Sequence, residues 1–533
     1  MIRGLRLVSL ALTLPAVSTA SITVEISDYA TLPVTGSVDG KGQTDAMLAR
    51  VNSLREEPGG ASRFFVNDLN GPLYILDKKT RTFTTYLDFN GRADHTGLFH
   101  RFAYETGYAN GLVGVQFDPD YRRNGRFYTV HIEDPSVGAD AGPDNAHFPA
   151  LDVHGYKTTT AVPTPGDILR EGVLIEWTDT NTANATFEGS ARELLRVQYN
   201  TRIHPLADMV FNPAARPGDP DWRVLYIGSG DGGAGESRTA IRGNPQRLDT
   251  LVGKVLRIVP DPGERAASST ASENGRYRIP NDNPFASTQG ARGEIWAYGF
   301  RNPDRLHWAI DAANPSNNRL LANSIGLHTW ETVNIVHKGA NYGYSLREGN
   351  QALQPNNQIG PLPPVDRIPV QISDTLASGA VTPTYPVIQY GHVPGGGDAI
   401  GSGFLYTGKA IPALRGKYVF TDISTGHLWF ADYKEMLAAD DGDPGTMAER
   451  HEIRIAWKNG VYDTMFPIAQ TAYHARGGRS PILPGRALVS GEGRADANLA
   501  VDAAGELYVF TKTDGMIRAL ASLASPASKP SSR

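Results

Sequence analysis

The sequence predicts an all-β protein, a six-bladed β-propeller with long loop insertions, and three observations carry that reading. First, a unit of apolar strand, Asp/Asn-centred turn and second strand rich in Tyr, Phe and Val recurs along the chain. It stands at Gly114-Val-Gln-Phe-Asp-Pro-Asp into Gly125-Arg-Phe-Tyr, and at Asp208-Met-Val-Phe-Asn-Pro into Arg223-Val-Leu-Tyr. It returns at Arg305-Leu-His-Trp into Arg319-Leu-Leu, and at Asn498-Leu-Ala-Val-Asp into Glu506-Leu-Tyr. Looser copies are Ser402-Gly-Phe-Leu-Tyr into Gly416-Lys-Tyr-Val, and Arg63-Phe-Phe-Val-Asn-Asp into Pro72-Leu-Tyr-Ile. Second, the irregular spacing of these units fits radial repetition and not a solenoid of fixed period. Third, helical pattern is scarce, while 57 glycines and 36 prolines punctuate short strands.

The chain opens Met1-Ile-Arg-Gly-Leu-Arg, continues with an apolar run from Leu7 to Val17, and reaches Ser18-Thr19-Ala20. A charged start, a short apolar core and small residues predict a signal peptide over residues 1–20 and a periplasmic or secreted product. That run is too short for a membrane span, and no later stretch approaches about 18 apolar residues. Residues 21–61 read as an N-terminal extension, with a short helix over 45–56. The propeller is expected over 62–520, with a second short helix over 433–439. Segments 134–165, 266–287 and 351–386, rich in Pro, Asn, Asp or Gly, are expected as insertions. The strands within 498–520 are expected to close the ring against the first, which leaves only protected edges. Residues 521–533, rich in Ser, Pro and Ala, are expected to be a disordered tail.

The chain has no cysteine, which excludes disulfides and thiolate metal sites; any metal must be held by oxygen or imidazole. Its 51 basic and 56 acidic residues nearly balance and form no basic block, so nucleic acid is excluded as a partner class. Without disulfides, stability must come from a large core, which a chain of this length can build.

His204, in Arg202-Ile-His-Pro-Leu-Ala-Asp, stands just before an inner strand, where a blade meets the rim of a propeller channel. A histidine there can take a proton from a hydroxyl near neutral pH; its alternative is a structural histidine. In Gly230-Asp-Gly-Gly the glycines allow close backbone approach, and Asp231 can accept several N–H groups in a tight turn. Arg301 and Asn302 end the apolar run Ile295-Trp-Ala-Tyr-Gly-Phe and are fixed by Pro303; a guanidinium there can bind a carboxylate or quinone oxygen, or form a salt bridge across the channel.

In order, Gly111-Leu-Val-Gly-Val-Gln-Phe-Asp-Pro-Asp, Gly230-Asp-Gly-Gly, Leu251-Val-Gly-Lys-Val-Leu-Arg-Ile, Ile279-Pro-Asn-Asp-Asn-Pro-Phe, Glu294-Ile-Trp-Ala-Tyr-Gly-Phe-Arg-Asn-Pro, Lys338-Gly-Ala-Asn-Tyr-Gly and Gly416-Lys-Tyr-Val-Phe-Thr-Asp resemble the motifs of the glucose/sorbosone dehydrogenase family. The resemblance spans about residues 62–520. It implies a six-bladed propeller holding pyrroloquinoline quinone (PQQ) with Ca2+ beside it. It implies further that a sugar or related alcohol is oxidised by hydride transfer to the quinone, with an electron acceptor left unnamed. His204 then matches the general base, and Arg301 and Asn302 match quinone contacts. Lys409 and His427 are the cations nearest the late-blade cofactor positions, and backbone carbonyls at Gly326 and Leu327 match the calcium segment. Thr407 and Thr425 stand where relatives place cations, and Arg238, Arg242 or Arg247 are expected to compensate by reaching inward. Asp208 is expected to orient His204 or to satisfy its blade turn. The alternative is a propeller of the same family that binds a carbohydrate or protein without redox chemistry, through the insertions at 134–165 and 351–386.

Overall fold

The computed structural model describes residues 21–39, 46–59, 62–104, 110–485, 489 and 493–523. The expected signal peptide lies outside them, as does most of the expected tail. Twenty-four strands form six antiparallel blades of four, numbered here in chain order. Blade 1 comprises Val51–Glu56, Arg63–Asp68, Pro72–Asp77 and Phe83–Asp88. Blade 2 comprises Leu112–Phe117, Arg126–Glu133, Arg170–Asp179 and Gly189–Tyr199, and blade 3 Leu206–Phe211, Leu225–Ser229, Lys254–Ile258 and Ile295–Tyr298. Blade 4 comprises Asn302–Ala309, Arg319–Ile325, Trp330–Ile335 and Ile388–Gly391, and blade 5 Ile400–Leu405, Lys417–Asp422, Leu428–Asp432 and His451–Trp457. Blade 6 takes Ala497–Val501, Leu507–Thr511 and Met516–Ser522 from the end of the chain and Ile22–Thr31 from its beginning.

The first strand of each blade is innermost, and each packs against its neighbours until blade 6 meets blade 1. The ring is a six-bladed β-propeller. Its closure is a strand exchange: Ile22–Thr31 pairs antiparallel with Met516–Ser522, with Ile26 opposite Leu520, and parallel with blade 5, with Ile22 opposite Ile453. Both edges that closure would expose are thereby paired.

The apolar core is divided among the interfaces between blades. Phe65, Leu73 and Ile75 meet Val115, Phe127 and Trp177 between blades 1 and 2. Val210, Tyr226 and Val255 meet Leu306, Leu320 and Ala322 between blades 3 and 4. Comparable clusters fill the other four interfaces. Each strand thus buries both faces against flanking blades, which leaves the axis to polar side chains.

Five of the six expected units are the first two strands of a blade; the sixth, at Arg63, is the second and third strands of blade 1. Two strands fall within 21–61, so that segment belongs largely to the sheets and is not an extension. The expected helix over 45–56 is replaced by the strand Val51–Glu56. Val51 and Leu54 pack between blades 1 and 6, while the Asn52 Nδ2 donates to the Val113 carbonyl at 2.5 Å and the Ser53 hydroxyl bonds Asn67. Burial on both sides overrides the weak local helical pattern. The second expected helix is found as Tyr433–Ala438, and a further helix, Phe466–Ala475, was not anticipated. The insertions interrupt blades 2, 3 and 4 in turn. That at 351–386 reaches the adjoining loop of blade 3, where the Asn357 Nδ2 donates to the Glu236 carbonyl at 3.2 Å.

Candidate functional site

Segments entering first strands and turns joining second to third strands share one face of the ring. His204, Asp231, Arg301, Gly326 and His427 occupy such positions; Lys409, between the first two strands of blade 5, belongs to the opposite face.

The glycine-rich turn after Leu225–Ser229 folds over the backbone of His204. The Gly232 N–H donates to the His204 carbonyl at 3.0 Å, and a Cβ at Gly230 would lie 2.4 Å from that carbonyl oxygen. His204 is held at φ +54, a left-handed conformation uncommon for a residue with a side chain. Its imidazole Nδ1 is 2.9 Å from Asp231 Oδ1. The N–H groups of Gly233 and Gly235 each donate to the Asp231 carboxylate at 2.8 Å. Asp231 therefore both satisfies the turn and orients the imidazole. Asp208 does neither: it takes the Arg55 guanidinium at 2.6 Å and the Leu306 N–H at 3.3 Å. With Nδ1 donating to the carboxylate, the His204 Nε2 carries the lone pair, and no hydrogen bond from the described residues occupies it.

The Asp231 N–H donates at 2.7 Å to the carbonyl of Arg301, joining the edges of blades 3 and 4. The Arg301 guanidinium bonds the Glu236 carboxylate and the Gly326 carbonyl. Burial disfavours its charge, but Glu236 and, more weakly, Asp231 outweigh that and raise its pKa above the ordinary arginine value. Arg301 Nε and Tyr344 Oη are buried without hydrogen-bond partners among the described residues, and both residues line a small pocket with Gly326, Trp330 and Glu348. Asn302, buried at the start of blade 4, pairs with Ile325.

The remaining expected residues lie apart. The Lys409 N–H donates to Glu506 at 2.7 Å on the far face. His427 stacks on Trp429, with ring centroids 4.9 Å apart, and faces Glu452 at 3.4 Å, toward the outer strand of blade 5. The blade 5 turn closes on itself, because Asp422 accepts from the Thr425 N–H and hydroxyl. The arginines expected to reach inward do not. Arg238 is exposed, Arg242 bonds Asn357 at 2.5 Å, and Arg247 pairs with Asp249 at 2.7 Å.

The unsatisfied Arg301 Nε and Tyr344 Oη, with Asn302 beside them, fit an acceptor-rich organic anion such as a quinone carboxylate. A calcium ion fits less well. The Gly326 carbonyl is taken by Arg301, the Leu327 N–H is turned to Glu348 at 2.9 Å, and no group of three His, Asp or Glu side chains able to hold a metal occurs among the described residues.

Below the mouth the channel is crossed twice. Arg305 of blade 4 reaches the Asn52 side chain of blade 1 at 2.9 Å, and Arg55 of blade 1 reaches Asp208 of blade 3.

A six-bladed propeller with a buried His–Asp pair and an arginine at one mouth defines the class. The family model of the glucose/sorbosone dehydrogenases matches residues 198–455, the stretch that holds His204, Asp231 and Arg301. The soluble aldose sugar dehydrogenase of Escherichia coli, solved in its apo form, covers 94% of this chain and 99% of its own at 16% identity and a TM-score of 0.50. That likeness is one of fold. In sequence, an aldose sugar dehydrogenase of Escherichia coli K12 is 41% identical over 105 residues, 20% of this chain and 23% of its own. The HIPL1 protein of Arabidopsis thaliana is 25% identical over 394 residues, 70% of this chain and 51% of that protein. The chain thus spans about half the length of the HIPL proteins it matches.

Proposed function

We propose that this propeller is an exported oxidoreductase that removes a hydrogen from a hydroxyl-bearing carbon of a sugar or related alcohol, with His204 as the base. The observation that carries the reading is the His204–Asp231 pair, whose imidazole Nε2 forms no hydrogen bond among the described residues. Asp231 keeps Nδ1 protonated and would stabilise the imidazolium that forms when Nε2 takes the hydroxyl proton. Pyrroloquinoline quinone, when bound, supplies the acceptor for the hydride from the same carbon. Arg301 and Asn302 would hold that cofactor, the guanidinium exchanging Glu236 for an anionic oxygen. The remote end of the channel, crossed by Arg305 and Arg55, limits entry of water from below.

A second reading, a propeller that binds carbohydrate or protein without turnover, is favoured by the neutralised Arg301 and by the partial likeness to human Hedgehog-interacting protein, 25% identical over 271 residues. One experiment separates them. The purified protein is mixed with pyrroloquinoline quinone, with and without calcium, and aldoses are screened with a dye as electron acceptor. Dye reduction with at least one aldose supports the enzyme; binding of a sugar without dye reduction supports the second reading. Mass spectrometry of the exported product tests the cut after Ala20.

A further inference from the structure

Lys512 stands in the turn between the second and third strands of blade 6, on the same face as His204. It is only 9% exposed, yet among the described residues its ammonium forms no hydrogen bond and no ion pair. The charges that act on it come from three blades: Asp496 of blade 6, Asp304 and Arg305 of blade 4, and Arg50 of blade 1. Blades 4 and 6 are separated by blade 5, so these groups sense one another across the channel. Most of those neighbours are already matched. Arg305 lies 3.0 Å from Asp304, Arg494 lies 3.4 Å from Asp496 Oδ1, and the Arg50 guanidinium donates to the Tyr104 carbonyl at 2.8 Å, while Asp496 Oδ2 accepts no hydrogen bond among the described residues. Lys512 is the positive charge left over.

The turn that carries it is rigid. Its Lys512 N–H donates to the Asp496 carbonyl at 3.1 Å, the Thr513 hydroxyl to the Ala495 carbonyl at 3.0 Å, and Arg518 holds Asp514 at 2.6 Å. A lysine on a fixed turn keeps its position without a partner, where a mobile one would swing to water. Burial, with Arg305 and Arg50 adding repulsion against the pull of Asp496 and Asp304, lowers its pKa to about 8. Such a group is held at a cost in stability, a pattern that marks binding sites.

In a ring of six, blade 6 lies across the channel from blade 3. We propose that Lys512 is the anion anchor of the mouth, pairing with a carboxylate of a ligand that extends from His204 across to blade 6. That carboxylate belongs either to a quinone cofactor or to a sugar acid. The inference rests on the proposed function only in taking the mouth as the ligand site.

The test is calorimetric titration of the full chain with pyrroloquinoline quinone and, separately, with D-glucuronate, for wild type, Lys512→Met and Lys512→Arg. Loss of one charge-assisted bond predicts binding roughly 10- to 100-fold weaker in Lys512→Met, largely restored in Lys512→Arg. The titrant that shows this pattern names the source. At pH 8 the wild type should also take up a proton on binding, read as different enthalpies in Tris and HEPPS, and Lys512→Met should not. The proposal is overturned if wild type binds neither anion, or if Lys512→Met binds both as wild type does with the same proton uptake. Because the readout is binding, a protein that binds through Lys512 yet fails to turn over would refute the assigned enzyme activity and leave the anchor standing.

Discussion

The edges of blades 3 and 4 and the edge of blade 5 occupy equivalent places in the same repeat, yet only the former present chemistry to the mouth. At blade 3 the turn is built from glycines, so Asp231 needs only one backbone N–H on each oxygen, from Gly233 and Gly235, and its Oδ1 also takes the imidazole of His204. At blade 5 the carboxylate of Asp422 accepts from Thr425, Tyr390 and the Asp398 and Ala399 N–H groups, and burial beside Asp398 raises its pKa to about 6. Nothing is left over to orient His427, which stacks outward on Trp429. Position in a repeat therefore does not assign a role; the unspent hydrogen-bonding capacity of the turn does.

Substitutions at the two edges should behave differently, and the largest effect is expected at Asp231. Asp231→Asn should free the imidazole to adopt the wrong tautomer and lower turnover by roughly 10³-fold with little change in ligand affinity; an equal loss of both would mean that the residue only supports the fold. Arg301→Ala should weaken binding of pyrroloquinoline quinone by roughly 30- to 100-fold in calorimetry, whereas unchanged affinity would place the cofactor elsewhere.

Lys512→Met should raise stability in denaturant unfolding near pH 7. The folded pKa of about 8 lies below the ordinary 10.5, so below pH 8 both states carry the charge but only the folded protein holds it desolvated, at a cost in stability. The gap corresponds to ~3 kcal/mol. The variant's advantage should be greatest below pH 8 and fade as pH rises toward 10.5; a destabilised variant would mean that Lys512 pairs with Asp496 in solution.

Gly230→Ala should lower stability by about 2 kcal/mol, because its Cβ would meet the His204 carbonyl at 2.4 Å. Lys409→Ala and His427→Ala should change quinone affinity less than about twofold, since a solvated or outward-facing group contributes little to a remote ligand. A tenfold loss in either would bring blade 5 back into the site.

The propeller was legible because strand alternation and turn residues repeat in every blade, and both faces of each strand demand apolar residues. Blade 1 was the exception: Val51-Asn-Ser-Leu-Arg-Glu lacks that pattern because Asn52 and Ser53 bond across to neighbours that no local window contains. The closing strand Ile22–Thr31 was missed for a related reason, since its partners lie nearly 500 residues away in sequence. Of the site, His204 and Arg301 were legible from their place before inner strands. The role of Asp231 was only half legible, because a carboxylate in a glycine turn reads first as a turn residue. Lys512 was invisible: a lone lysine after Tyr-Val-Phe-Thr looks like a solvated turn, and only ring closure carries it to the channel.

The central claim, that His204 is a base held ready at the mouth, is tested most directly by comparing wild type with His204→Ala, each loaded with pyrroloquinoline quinone, for cofactor affinity and aldose-dependent dye reduction. The account predicts cofactor affinity within about twofold and dye reduction lowered at least 10²-fold. Equal dye reduction by the two proteins would contradict it.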